Sequence, residues 1–193
     1  MRLAVLDKGH GFGTKALFAI IRAASRHPAP EALKLVMYRP EFYGTPMQKI
    51  TQDAMRGPSA WSVGDRELMA ALISKMNACE YCIKAHTAVS AKAYRDPAKV
   101  SAALADLETA PLDEPLRATL RMLAKLTREN AVGADDMRAV LAAGVSREQI
   151  RDALSVAFVF NAMNRLAEAF KFEVGEPKAF EAGARYLLAR GYR

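Results

Sequence analysis

Both cysteines of this 193-residue chain lie in one stretch, as Cys79-Glu80-Tyr81-Cys82, and one of its three histidines follows as His86. A carboxylate, Glu67, stands twelve residues before the first cysteine. Two thiols at that spacing can close to a disulfide and be reduced again, and an imidazole and a carboxylate beside them can move the protons. The stretch therefore reads as a dithiol redox centre. On a helix each residue advances about 100°, which puts Cys79, Cys82 and His86 within a sector of roughly 60° spread over two turns. A three-residue offset separates Cα atoms by about 5 to 6 Å, inside the window a disulfide needs.

The local signals place these groups on two helices. Asn77 as N-cap, with Glu80 in the capping-box position, predicts a helix from Ala78. Cys79 then lies in its first turn, where unpaired N–H groups and the positive dipole end lower a thiol below its free value of about 8.5. Cys82 has His86 one turn away as proton acceptor. The helix end thus favours Cys79 as the reactive sulfur and the imidazole favours Cys82; the imidazole is given the greater weight. Upstream, Asp65 predicts the N-cap of a helix to about Met76, with Leu68, Met69, Leu72, Ile73 and Met76 as its apolar stripe. Glu67 falls in the first turn, either as a surface partner of the dipole or, if the chain doubles back at Asn77, against the dithiol. There burial would raise its pKa and suit it to shuttle protons.

Other chemistries fit less well. Structural zinc would need a fourth ligand beyond Cys79, Cys82 and His86, and the sequence holds no second Cys or Cys/His cluster. Haem attachment needs His directly after the second cysteine, where Ile83 stands. A thioredoxin-type motif belongs between strands and helices, whereas Val63 to Tyr94 reads as helix on both sides. Two cysteines that merely pack or staple are the plain alternative.

The pattern formed by Glu67, Ser74, Asn77, Cys79, Tyr81, Cys82, Ala85 and His86 resembles the signature of the AhpD-like alkylhydroperoxidase and carboxymuconolactone decarboxylase superfamily, in its peroxidase-related branch. The resemblance is closest over about residues 40 to 110 and weaker over Phe160 to Phe170. It implies an all-α, AhpD-like helical bundle of about eight to nine helices and a cofactor-free thiol peroxidase acting on hydrogen peroxide or small organic hydroperoxides. By matching position, Cys82 attacks the peroxide, Cys79 resolves the sulfenic acid, and Glu67 and His86 form a proton relay. The implied partners are an external dithiol reductant, a lipoyl protein or a thioredoxin-like one, and further copies of the chain in a trimer or hexamer. Tyr81 departs from members with a histidine between the cysteines, and a phenol near pKa 10 cannot stand in as a base. The competing readings are an acid–base decarboxylase, against which the paired thiols argue, and a redox-sensing interaction protein without enzymatic activity.

The rest of the chain must position this centre. With 51% apolar and 25% charged residues, and helix formers in place of alternating strand patterns, it reads as one all-α domain over 1–193, with a helical extension over 1–35. Of the net charge of +7, +5 falls in residues 1–50. The basic residues are scattered and form no recognition motif, so nucleic acid is not an expected partner. After the opening Met1-Arg2-Leu3, a helix pattern spans about Thr14 to Arg26. Its apolar run is too short to cross a membrane, and His27-Pro28-Ala29-Pro30 makes a turn, so neither anchor nor signal peptide is expected and the location is read as cytoplasmic. His10 and His27 are expected in solvent. Trp61 reads as a core plug where the chain enters the redox helices. Ser146 to Gln149 is a capping box opening the longest helix, to about Phe170, whose Leu154–Phe160 stretch is apolar on nearly every face. That stretch predicts deep burial, shared in part with another subunit.

Overall fold

The computed structural model describes residues 4–192, so Met1 to Leu3 lie outside the described residues. The all-α expectation holds: the described residues form eleven α-helices and one π turn, and no strand. In order these are α1 (Val5–Lys8), α2 (Phe12–Ser25), α3 (Glu31–Tyr38), a π turn (Pro40–Gly44), α4 (Thr45–Arg56), α5 (Val63–Met76), α6 (Glu80–Tyr94), α7 (Pro97–Ala105), α8 (Glu114–Glu129), α9 (Ala134–Ala142), α10 (Arg147–Ala169) and α11 (Pro177–Arg190). The count exceeds eight to nine partly because α1 arises where no periodic pattern marks a helix. No helix among the described residues is long and apolar enough to cross a membrane.

Helix starts follow side-chain chemistry. Asp96 accepts from the Lys99 amide at 2.9 Å with Pro97 leading α7, and Ser146 and Gln149 exchange both capping-box bonds at 3.1 and 3.0 Å. At α5 the expected cap is corrected. Ser62 is the N-cap, and Asp65 is its capping-box partner, accepting from the Ser62 amide at 2.8 Å. The helix therefore begins at Val63, and Glu67 moves into its second turn.

At the centre stands α5, paired with α6 and flanked by α8 and α10, with α11 laid across α6. From Arg66 to Ser74 every residue of α5 is buried, polar ones included. Trp61 plugs the entrance to α5 and donates its indole N–H to the Gln149 carbonyl at 2.8 Å. The helix enclosed within the chain itself is α5, whereas α10, expected to share its burial with another subunit, is only partly covered. On α10, Val156, Val159 and Phe160 face inward, while Phe158 is 62% exposed beside half-buried Leu154.

The α5–α6 pair closes on a glycine. A Cβ at Gly64 would lie 2.8 Å from the Tyr94 ring, which is held by a hydrogen bond from its hydroxyl to Asp65, and Ser90 donates to the Gly64 carbonyl at 3.0 Å. Gly64→Ala is expected to cost about 1 to 3 kcal/mol through overpacking. Gly183 within α11 faces open space, so Gly183→Ala should gain about 1 kcal/mol of helix propensity. Thermal melts check the opposite signs, at about 2 to 4 °C per kcal/mol for a chain of this size.

Candidate active site

The dithiol is built on the turn between α5 and α6. Asn77 ends α5, Ala78 adopts a left-handed conformation (φ 54°), and the chain closes in a Schellman turn. The Cys79 amide donates to the Ser74 carbonyl at 3.0 Å and the Ala78 amide to the Lys75 carbonyl at 3.1 Å. Asn77 is thus a C-cap, and the expected helix start shifts by two residues: Cys79 is the N-cap of α6 and Cys82 its third residue. No glycine marks the left-handed position, which is why the sequence does not reveal it. The signature's Ser74 and Asn77 reach into the Phe160–Phe170 segment, where Ser74 Oγ lies 3.1 Å from Asn164 Oδ1 and Asn77 Nδ2 donates to Asn161 Oδ1 at 3.0 Å.

Both thiols are free and buried. They share an apolar cluster with Leu6 of α1, Leu35 of α3, Ala167 of α10 and Phe172, and Tyr43 and Tyr81 pack against it. Cys82 donates a hydrogen bond to Cys79, and this bond holds the Cys79 thiol below its ordinary value although burial opposes it. The same bond, and then burial, pushes Cys82 up, so the charge of a singly ionised pair rests on Cys79. Burial and the nearby Cys82 also raise the Tyr43 phenol to about 12 and the Tyr81 phenol further. Tyr81, edge-on to Phe172 and Phe180, is a wall and not a base.

His86 follows one turn after Cys82, buried edge-on to Phe160 with ring centroids 4.4 Å apart. Its Nδ1 donates to Glu67 Oε2 at 2.7 Å. Glu67 is wholly buried, so the dipole-partner reading at the surface is overturned. Its Oε1 accepts from Arg56 Nη2 at 2.6 Å and from the Tyr192 hydroxyl at 3.0 Å. Burial alone would raise this carboxyl, as expected from sequence, but the bonds from His86 and the Arg56 charge outweigh it and hold it below the ordinary carboxylate range. The structure thus joins Glu67 and His86 in one hydrogen bond and sets Cys79 against Cys82. Arg56, Tyr192 and the residues that hold them escape sequence reading, since a basic residue ending α4 and a tyrosine near the chain end carry no local signal.

Of the other two histidines, His10 is buried, against expectation, donating Nε2–H to the Lys34 carbonyl at 2.8 Å and meeting Phe18 and Tyr38 edge-on. His27 is half-buried. Among the described residues no three His, Cys, Asp or Glu side chains cluster as metal ligands.

Fold and site together describe an all-α protein with a buried dithiol beside a carboxylate–imidazole pair. Residues 40–125 match the carboxymuconolactone decarboxylase family. An uncharacterised peroxidase-related protein from Silicibacter sp. TM1040 is similar at 26% identity, covering 91% of each chain with a TM-score of 0.76. A second, from Ralstonia eutropha JMP134, described as an alkylhydroperoxidase AhpD core, shares the fold at 19% identity, 91% of each chain and TM-score 0.75. The debrominase Bmp8 shares it at 15% identity, covering 90% of this chain and 92% of its own, with TM-score 0.65. No curated protein shows significant similarity to the chain. Over residues 40–125 the chain is thus similar to the carboxymuconolactone decarboxylase family, and over nine-tenths of its length it shares the fold of peroxidase-related, AhpD-like proteins.

The Arg56–Glu67–His86 arrangement sets an acid dependence of stability. A carboxyl lowered by folding stabilises the protein fully above its unfolded value of about 4.5, and the contribution is lost as pH falls through the lower folded value. Glu67→Gln leaves the half-buried Arg56 without its counter-charge, a loss bounded by the about 3 to 5 kcal/mol typical of breaking a fully buried pair. Melts between about pH 3 and 7 should show a lower neutral Tm for Glu67→Gln and a flatter acid decline than wild type.

Proposed function

We propose that the chain is a thiol-dependent peroxidase, reducing hydrogen peroxide or small organic hydroperoxides through a Cys79–Cys82 dithiol/disulfide cycle. The observation that carries this reading is a pair of free, buried thiols in one apolar cluster, with an imidazole one helical turn away fixed by a buried carboxylate. An acid–base decarboxylase has no use for paired thiols.

In the proposed cycle one thiol proton passes to His86, whose Nδ1 is occupied by Glu67 and whose Nε2 is the remaining basic nitrogen. The pair then carries one charge and one S–H. At rest the charge lies on Cys79, and exchange of the shared proton delivers the thiolate to Cys82. Cys82 attacks the terminal peroxide oxygen, the O–O bond breaks, and the departing alkoxide takes the proton from His86. Cys79 S–H condenses with the Cys82 sulfenic acid to form the disulfide and water. Two thiols and one hydroperoxide thus give a disulfide, an alcohol and water. An external dithiol, a lipoyl protein or a thioredoxin-like one, restores the thiols; the cytoplasm, where such reductants keep thiols reduced, is the compartment this implies. Burial of both sulfurs favours small hydroperoxides over bulky ones.

The reading includes assembly of copies of the chain as a trimer or hexamer. Phe158 and Leu154 line a groove of about 610 Å³ with Ile50, and α2 buries none of its residues while exposing Phe12 and Ile20. Two unpartnered apolar faces on one chain are met by a second copy. Light scattering at micromolar concentration is expected to give a multiple of the 21.1 kDa chain mass; a stable monomer defeats the assembly.

Consumption of hydrogen peroxide, and of cumene hydroperoxide as the bulky comparison, with dithiothreitol or dihydrolipoamide tests the chemistry. Wild type is expected to turn over, Cys82→Ser to lose turnover, and mass spectrometry after one equivalent of peroxide to show a Cys79–Cys82 disulfide. Cys79→Ser should trap a sulfenic acid at Cys82 that dimedone labels, whereas labelling only of Cys79 in Cys82→Ser exchanges the two roles. Equal slow turnover by wild type and Cys82→Ser sinks the reading. So does reduction of 2,3,4-tribromopyrrole, bound by a variant of the debrominase, without peroxide consumption.

A further inference from the structure

We propose that Arg56 and Tyr192 pin Glu67 as a permanent carboxylate, so that it positions His86 as a fixed counter-charge while His86 alone carries the proton. The inference rests on the dithiol reading for the reaction it serves, and it changes the relay that the superfamily resemblance implies. In that relay the carboxylate takes part in proton transfer. Here Arg56 and Tyr192 are positioning residues that act through Glu67, and the segment after α11 belongs to the site.

The geometry is a carboxylate surrounded by donors. His86 Nδ1 occupies Oε2 at 2.7 Å, and Arg56 Nη2 and Tyr192 Oη occupy Oε1 at 2.6 and 3.0 Å. A protonated Glu67 would have to donate its own hydrogen. At Oε1 neither partner accepts as placed, since a guanidinium has no acceptor and the phenol would have to turn its hydroxyl away; only His86 Nδ1, stripped of its own hydrogen, could accept from Oε2. A proton arriving from His86 would also leave the half-buried Arg56 facing a neutral acid at a carboxyl with no exposure, where loss of the pairing is costly. The charged and titratable groups around Glu67 are Arg56 from α4, His86 and Cys82 from α6, Arg66 on its own helix and Tyr192 after α11.

Both positioning residues are themselves held. Arg56 donates to the Met55 carbonyl at 2.8 Å and to the Leu187 carbonyl at 3.3 Å, and its guanidinium carbon lies 5.1 Å from the centre of the Tyr192 ring. The Tyr192 amide donates to Gln52 Oε1 at 2.7 Å. Gly191 makes the approach possible with φ 69°; a Cβ there would meet Gln52 Oε1 at 2.4 Å. The chain thus bends back after α11 onto α4 and delivers a hydroxyl to the carboxylate. A tyrosine that served only to pack would not need its oxygen at Glu67.

The test uses the reduced full-length protein without peroxide, labelled with 13C in the Glu carboxyl carbons and 15N in the His rings. As the pH is varied, the His86 nitrogens are expected to respond while the Glu67 carbon stays at its ionised position. Arg56→Lys, which keeps the charge, should preserve this behaviour. Arg56→Met leaves Glu67 uncompensated, so a proton is held more tightly on His86 and the midpoint should rise by about 1 pH unit. Tyr192→Phe keeps the ring but removes one donor and should move the midpoint the same way by less, which keeps the test decisive if Arg56→Met does not fold. In the peroxidase assay the acidic limb of the pH–rate profile should move with the NMR midpoint. A Glu67 carbon that titrates with His86 in wild type overturns the proposal, as does an unmoved midpoint in the folded variants. The NMR arm needs no turnover, so a chain inactive toward peroxide would defeat the dithiol reading while this result stood by itself.

Discussion

A carboxylate with no exposure to water governs this structure. An ionised group in a protein interior must be paired and hydrogen-bonded, and Glu67 is satisfied by three donors from three separate stretches of chain: the end of α4, the middle of α6 and the residues after α11. Each stretch must therefore arrive in register for α5 to be buried at all. The nearly unbroken burial of α5 is the corollary, because a helix carrying a charge into the core has to be closed over on every side. Arg66, one residue before Glu67, meets the same demand by donating to the Ala54 and Gly57 carbonyls at 3.3 and 2.9 Å.

The same helix sets the thiols. Its Schellman turn fixes where α6 begins, and the Cys-x-x-Cys spacing then equals the distance from an N-cap to the third residue of a helix. That relation directs the Cys82 hydrogen toward the Cys79 sulfur and makes the two thiols unequal before any substrate arrives. A difference in charge distribution thus comes from one residue in an unfavourable left-handed conformation, Ala78.

Much of this is legible in the sequence, within limits that have physical causes. Helix class, the caps at Asp96 and Ser146 and the pairing of Glu67 with His86 rest on local chemistry or on a signature, and they appear where expected. The errors cluster where one residue can play two parts. Asn77 suits either end of a helix, and Asp65 caps when read alone but supports Ser62 when read with it. For α10 the periodicity is apolar on nearly every face, yet Phe158 stands out in solvent; α5, with polar residues along it, is enclosed because those residues pair with side chains of other elements and with backbone. Arg56 and Tyr192 have no sequence signature, since their role comes from contacts across 11 and 125 residues of chain.

The enclosure of the dithiol comes partly from outside the family-matched region: Leu6 and Leu35 precede residue 40, and Phe172 follows residue 125. The chemistry and its cover are therefore separate pieces of polypeptide, joined by apolar packing. Attack by anything too large to diffuse through that packing must wait for a local opening, and its rate then stops rising with reagent concentration once opening becomes the slow step. For a bulky thiol reagent, the plateau velocity becomes a clock for how often the N-terminal segments lift from the sulfur pair. Substitutions at Leu6 or Leu35 would reset that clock without altering a reacting atom.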